Sequence, residues 1–385
     1  MKKVLIINTK YKKFGGEDAN IVEEQKFLKK YYIVEYLEFD NSSKLNIYDL
    51  IAFFNNSNIQ SNKELIKVLN RFKPDFVYIH NTWFKANLGI FKILEKYQIP
   101  VLLKIHNFRF VCTKNFLSKN HFKENEQCLM CGNKKSNNKI INKYFQKSYI
   151  KSFFVLMYGK KYFNILKKND LNIVVLNQFY KNYLIDSGFN KNKIKILFNP
   201  ITTTKSNNYF STSEQVVYAG ALTDEKGLIN LLNSWVKSKT NLKLYIIGSG
   251  YLEKFLIDKY KYKNIAFLGF LSNYETVNII KKSRAVITCT KLFEGQPRLL
   301  SEASINGIPS IFPKTGGLAE YFPKDYQLSF EQNDYIELIQ KISVLNNSEQ
   351  MTNISENLFL FANKLYDYEK MYLKIEEILN EKNKI

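Results

Sequence analysis

Phe293-Glu-Gly-Gln-Pro-Arg-Leu-Leu-Ser-Glu-Ala-Ser-Ile-Asn-Gly-Ile-Pro309 is the stretch that decides how this chain is read. Its two carboxylates, Glu294 and Glu302, are separated by seven residues. Pro297 suits a first helical turn, because its ring presets φ and the N–H it lacks has no partner there. A helix starting near Pro297 leaves Glu294 on the loop before it and carries Glu302 inside it. The unpaired amides at such a start, at the positive end of the helix dipole, attract phosphate. A carboxylate on each side of that anion site can accept hydrogen bonds from hydroxyls of a sugar or ribose. The stretch therefore points to a nucleotide-sugar pocket. Two solvated surface carboxylates are the competing reading, which the neighbouring Glu-Gly-x-Pro and Gly-Ile-Pro turns disfavour.

On either side of this stretch the chain alternates short apolar runs, polar turns and longer segments of helical period. Strands are expected at Val4–Asn8, Val34–Phe39, Phe76–His80, Val101–His106, Asn172–Leu176 and Ile194–Phe198. A second set follows at Val216–Gly220, Leu242–Gly248, Ile265–Gly269, Ala285–Thr288 and Pro309–Phe312. Short buried strands alternating with helices read as parallel α/β units covered on both faces. The expected fold class is thus α/β, with two Rossmann-like domains facing across a cleft. The polar stretch Thr202–Gln215 marks the seam. It divides residues 1–201 from residues 202–366, and a last helix, residues 367–385, packs back on the body.

At 385 residues the chain is long enough for two ordinary domains, and 45% hydrophobic residues supply their cores. The net charge of +22 favours anionic partners such as phosphorylated substrates, nucleic acid or membrane lipid. Abundant Lys, Asn, Ile, Phe and Tyr also fit an AT-rich coding bias, which would explain part of that charge. Four cysteines fit a reducing compartment rather than a disulfide scaffold. The first apolar run, Val4–Ile7, is too short for a signal-peptide core, so a cytoplasmic location is expected.

Further candidates lie at strand ends. Gly15 and Gly16 follow the first strand and a basic turn, where paired glycines let backbone approach a ligand or simply make a turn. Gly220 ends the first strand of the second set, and Lys226 sits at the turn into a helix, where its ammonium can meet a diphosphate or solvent. His106 and His80 both end strands on the same expected rim, in positions open to a sugar hydroxyl or to a structural bond.

Taken together and in this order, these segments resemble the family 4 (group 1) glycosyltransferases, of GT-B fold, over nearly the whole chain. Glu294–Pro309 looks like that family's Glu-x7-Glu signature, and Thr315–Glu320 resembles the Gly-Gly-x-x-Glu that follows it. Tyr218–Gly227 resembles the phosphate loop, Ile246–Gly250 and Asn264–Gly269 the next two strand ends. His106–Cys112 resembles the histidine segment of a polysaccharide-assembly subgroup. The resemblance implies a retaining, metal-independent transferase that needs no cofactor. A nucleotide-diphosphate sugar would be its donor, and a glycan or lipid-linked molecule in bacterial surface polysaccharide or lipopolysaccharide synthesis its acceptor. By it, residues 1–201 bind acceptor and residues 202–366 bind the nucleotide sugar. Glu302 holds the ribose, and Glu294 with the backbone of Gln296, Pro297, Arg298 and Leu299 holds the donor sugar. Lys226, beside Gly220, neutralises the diphosphate, Gly15 and Gly16 allow closure on the donor, and His106 meets the transferred sugar. One departure is Ala221, where the family usually has an arginine; Arg298 is the expected substitute cation.

Cys112, His121, Cys128 and Cys131 are spaced as a zinc knuckle, with reduced structural thiols as the competing reading. Ten lysines and no acidic residue occupy residues 132–169, and aromatic residues interleave with them. Lys143, Lys147 and Lys151 would share a helix face, which suits an anionic membrane surface. A solvated basic face on a core-packed helix is equally compatible. Two other functional classes stand against the transferase. One is a non-catalytic binding protein of the same fold, for which Ala221 argues; the other is a nucleic-acid-binding protein, for which only charge argues.

Overall fold

The computed structural model describes residues 1–10, 16–41, 47–106, 143, 145, 147–168, 171–202 and 213–381. The chain divides into two compact units, Met1–Pro200 with Tyr368–Ile385, and Ile201–Asp367.

The first unit carries β1 (Lys3–Lys10), β2 (Ile33–Asp40), β3 (Phe76–Ile79), β4 (Val101–Lys104), β5 (Asn172–Val175) and β6 (Ile194–Ile196). They form one sheet in the order β2-β1-β3-β4-β5-β6, with every pairing parallel. All four residues of β3 are buried, as are those of β4 and β5. That is why these strands read as apolar runs rather than as alternation. The apolar run at 101–106 outlasts its strand: β4 stops at Lys104 and leaves Ile105 and His106 beyond its end. The helix Tyr368–Asn380 belongs to this unit. Its Met371, Ile375, Ile378 and Leu379 join Val4, Ile6, Phe27 and Tyr32 in one core, and Tyr32 donates to Glu376 at 2.8 Å.

The second unit carries β7 (Gln215–Ala219), β8 (Lys243–Ile247), β9 (Ile265–Gly269), β10 (Ala285–Ile287), β11 (Ser310–Lys314) and β12 (Ser329–Glu331). Its parallel sheet runs β12-β11-β10-β7-β8-β9, the doubly wound order of a dinucleotide-binding fold. β12 escapes detection from sequence because Ser-Phe-Glu is too short and too polar to make an apolar run. It forms an edge and pairs only with β11. The core is built around Trp235, Leu231 and Leu232 of the helix Leu228–Lys237, packed on Val216, Tyr218, Leu244 and Ile246.

The basic segment departs from expectation. Its helix spans Tyr149–Lys168, because Ser148 ends the preceding turn and its hydroxyl accepts from the Lys151 amide at 3.4 Å. Lys143 and Lys147 therefore precede the helix, Lys147 with φ of +53°, and do not share a helical face with Lys151. Among the described residues no helix is long and apolar enough to cross a membrane.

Candidate functional site

In the second sheet the strand order reverses between β7 and β10, and ligands of such sheets gather beyond the carboxyl ends at that point. The loop after β7 runs through Gly220, Ala221 and Leu222 into a 3-10 turn at Asp224–Lys226. Gly227 then takes φ of +68°, and a Cβ there would lie 1.8 Å from the Cys289 carbonyl oxygen. Only glycine fits, and it pins the Lys226 turn against the end of β10. Gly248, at φ of +134°, packs as closely on the Gly220 carbonyl, where an added Cβ would come to 1.9 Å.

This packing brings Lys226 to Glu294. Their side chains pair at 2.5 Å, both partly exposed, and Thr290 donates to the same carboxylate oxygen at 3.0 Å. The sequence gives each partner a ligand role, but it does not show that they face one another. The helix Arg298–Ile305 follows, with Pro297 at its N-cap and no side chain capping it. That leaves the amide end open to an anion. Glu302 is 6% exposed inside this helix. Its Oε1 accepts from Arg298 Nε at 2.6 Å and from Asn273 Nδ2 at 2.8 Å, and Arg298 Nη2 reaches Asn273 Oδ1 at 3.3 Å. The structure thus places the Arg298 guanidinium on Glu302. Gln296 is buried beside Ser301, at 3.4 Å, and Leu299 lies in the first helical turn.

Asn273 and Thr290 are neighbours of the candidate carboxylates that sequence reasoning missed. The local signal for Asn273 was the Ser272–Glu275 capping box that starts its helix. Its bond to Glu302, 29 residues away, had no local signal.

The first unit holds a second polar cluster, at the carboxyl ends of β3 and β4. His80 Nδ1 and His106 Nε2 meet at 2.8 Å with the rings stacked. Beneath them Lys104 donates to both oxygens of Glu24, at 2.8 and 2.9 Å, and to the Phe198 carbonyl at 3.1 Å. Tyr78 donates to the same carboxylate at 2.8 Å. Glu24 and Lys104 are wholly buried. Burial holds both histidines well below the ordinary imidazole value; the His80 ring lowers His106 further, and the Lys104 charge acts on both. Ligand atoms of Glu24, His80 and His106 lie within 4.8 Å of one another. Lys104 nevertheless takes both carboxylate oxygens, and its charge opposes a divalent cation, so this donor set does not suit a metal.

Gly16 opens the helix Gly16–Leu28, and Gly15 lies outside the described residues. So do Cys112, His121, Cys128 and Cys131, the zinc candidates. Cys289 is buried, which pushes its thiol up to about 12.

Residues 201–359 match the family model described as glycosyl transferases group 1. The amylovoran biosynthesis glycosyltransferase AmsD of Erwinia amylovora is 31% identical over 173 residues, which cover 42% of this chain and 49% of that protein. Protein CapJ of Staphylococcus aureus is 26% identical over 256 residues, 62% of this chain and 60% of its own length. The chain thus spans about half to three fifths of the length of these curated relatives. Among solved structures, HepE of Anabaena in complex with UDP-glucose superposes with a TM-score of 0.68 at 14% identity, covering 99% of this chain and 100% of that one. At that identity the likeness establishes the fold, the two-sheet GT-B architecture.

Proposed function

We propose that this chain, whose residues 201–359 match the group 1 glycosyl transferase model, moves a sugar from a nucleotide-diphosphate donor to a glycan or lipid-linked acceptor of a bacterial surface polysaccharide. One observation carries the reading. At the reversal point of the second sheet, Lys226–Glu294 and Glu302–Arg298–Asn273 flank an uncapped helix start. Lys226 and the helix amides meet the diphosphate in place of a metal, Glu302 takes the ribose, and Glu294 takes sugar hydroxyls. The likeness to proteins named for amylovoran biosynthesis and to a UDP-glucose complex supports the donor and acceptor classes. Transfer would proceed with retention, the departing diphosphate accepting the acceptor's proton on the same face while charge is stabilised by the groups around it. The first unit would take the acceptor.

Thermal unfolding in the presence of UDP, GDP, ADP, CDP and dTDP tests the donor site. One nucleotide at a hundred times its dissociation constant should add about 2.7 kcal/mol, and Glu302→Gln should abolish the shift. No shift from any of them would remove the transferase reading in favour of a non-catalytic binder.

The first unit also fits the surface of an anionic membrane. Ile150, Phe153 and Met157, on the helix Tyr149–Lys168, are 70, 50 and 50% exposed. Phe54, on the helix Ile47–Asn55, is 63% exposed and lies edge-on to Phe154 with ring centres 6.3 Å apart. Lys151, Lys160 and Lys161 share the helix with this face. Apolar side chains in the acyl boundary with lysines at headgroup level are the physics of a peripheral anchor. Vesicles rich in anionic lipid should retain the chain at low salt, and Ile150→Glu with Phe153→Glu should release it. Equal retention of wild type and variant would exclude this face.

A further inference from the structure

We infer that His80 is a positioning residue that locks His106 into the tautomer presenting Nδ1–H to a ligand oxygen; that this oxygen belongs to a sugar rests on the function proposed above. In the first sheet the strand order reverses between β1 and β3, the place where ligands of such sheets collect. Five buried polar atoms at the carboxyl ends of β1, β3 and β4 have no hydrogen-bond partner among the described residues. They are Asn8 Oδ1, Thr9 Oγ1, His80 Nε2, Thr82 Oγ1 and His106 Nδ1. Buried polar atoms are rarely left so, and a group of them at one sheet edge is what a polyhydroxylated ligand would satisfy.

The two rings share one proton across their 2.8 Å contact. If His106 donated, His80 would carry its own proton on Nε2, an N–H without an acceptor in a ring 3% exposed. If His80 donates, its Nε2 keeps only a lone pair. The unmatched N–H then moves to His106 Nδ1, beyond the end of β4, where a ligand oxygen can take it. Each arrangement leaves one N–H unmatched, but His80 is 3% exposed while His106 is only partly buried, so the N–H is better placed on His106. The Lys104 ammonium beneath both rings opposes a further proton on either. His106 then acts as a neutral hydrogen-bond donor, and the proton of the transfer step does not pass through it.

The chain has three histidines, so histidine-labelled full-length protein gives three sets of ring 15N signals, assigned with His106→Gln. Long-range 15N–1H spectra at pH 8 and pH 6 should show His106 with a protonated Nδ1 and a bare Nε2 at both values. His80→Leu should mix the tautomers of His106. His80→Asn, whose amide donates from nearly the same place, should restore the single tautomer. In turnover His80→Leu should lower kcat by about 10–100-fold, the range for partners that orient a functional histidine, and leave donor KM nearly unchanged. His80→Asn should recover most of that loss. A wild-type His106 bearing Nε2–H, an imidazolium at pH 6, or ring signals that move when a chelator is added would overturn the lock. An intact lock with His80→Leu turning over normally would overturn the positioning role. Absence of transfer by the wild type would count against the proposed function, and the spectra would still decide the lock.

Discussion

Lys104→Met is expected to destabilise the first unit by about 3–5 kcal/mol, because it leaves the buried Glu24 carboxylate without its counter-charge. Glu24 and Lys104 are both fully buried, and Lys104 grips both carboxylate oxygens. After the substitution only the Tyr78 hydroxyl would remain on Glu24 among the contacts described for it. Replacing both partners, with Glu24→Leu added, should recover most of the loss, since a well-packed apolar pair avoids the desolvation cost of two charges. What remains is the cost of an unsatisfied Tyr78 hydroxyl, about 1–3 kcal/mol. The two tryptophans make this measurable: Trp83 lies in the first unit and Trp235 in the second, both buried. In a Trp235→Phe background, urea unfolding followed by fluorescence reports the first unit alone. Should the double variant prove no more stable than Lys104→Met, the pair is not the source of the effect.

Lys226→Ala and Glu294→Gln should change nucleoside-diphosphate affinity in opposite directions. Removing the ammonium deletes a charge-assisted bond to the diphosphate, so affinity should fall by about 10–150-fold, the equivalent of about 1.5–3 kcal/mol. Glu294 would compete with that diphosphate, since its carboxylate pairs with Lys226. Neutralising it frees the lysine and should tighten the bare nucleoside diphosphate several-fold. The same change should weaken transfer from the complete nucleotide sugar, whose hydroxyls lose an anionic acceptor. Calorimetric titration with the diphosphate, alongside turnover with the sugar nucleotide, separates the two effects. Weaker binding of the diphosphate by Glu294→Gln would show that the ion pair does not compete with it.

Much of the fold was legible locally. Runs such as Phe76–Ile79 and Val216–Tyr218 are apolar because parallel strands are buried on both faces, and their alternation with helices announces two parallel sheets. β12 was not legible, since a three-residue edge strand needs neither length nor apolarity. Lys143 and Lys147 were misplaced because a four-residue spacing carries no information about where Ser148 starts the helix.

The site divides in the same way. Sequence alone determined the chemistry available near Pro297, because the spacing of Glu294 and Glu302 around a helix start is local geometry. Tertiary structure alone decided which groups are partners. Lys226 meets Glu294 across 68 residues, Asn273 meets Glu302 across 29, and Lys104 meets Glu24 across 80. It also assigned the helix Tyr368–Asn380 to the core of the first unit. Periodicity records which side of an element is buried. Which element covers that side is set by strand order, a property of how the whole chain crosses its sheets.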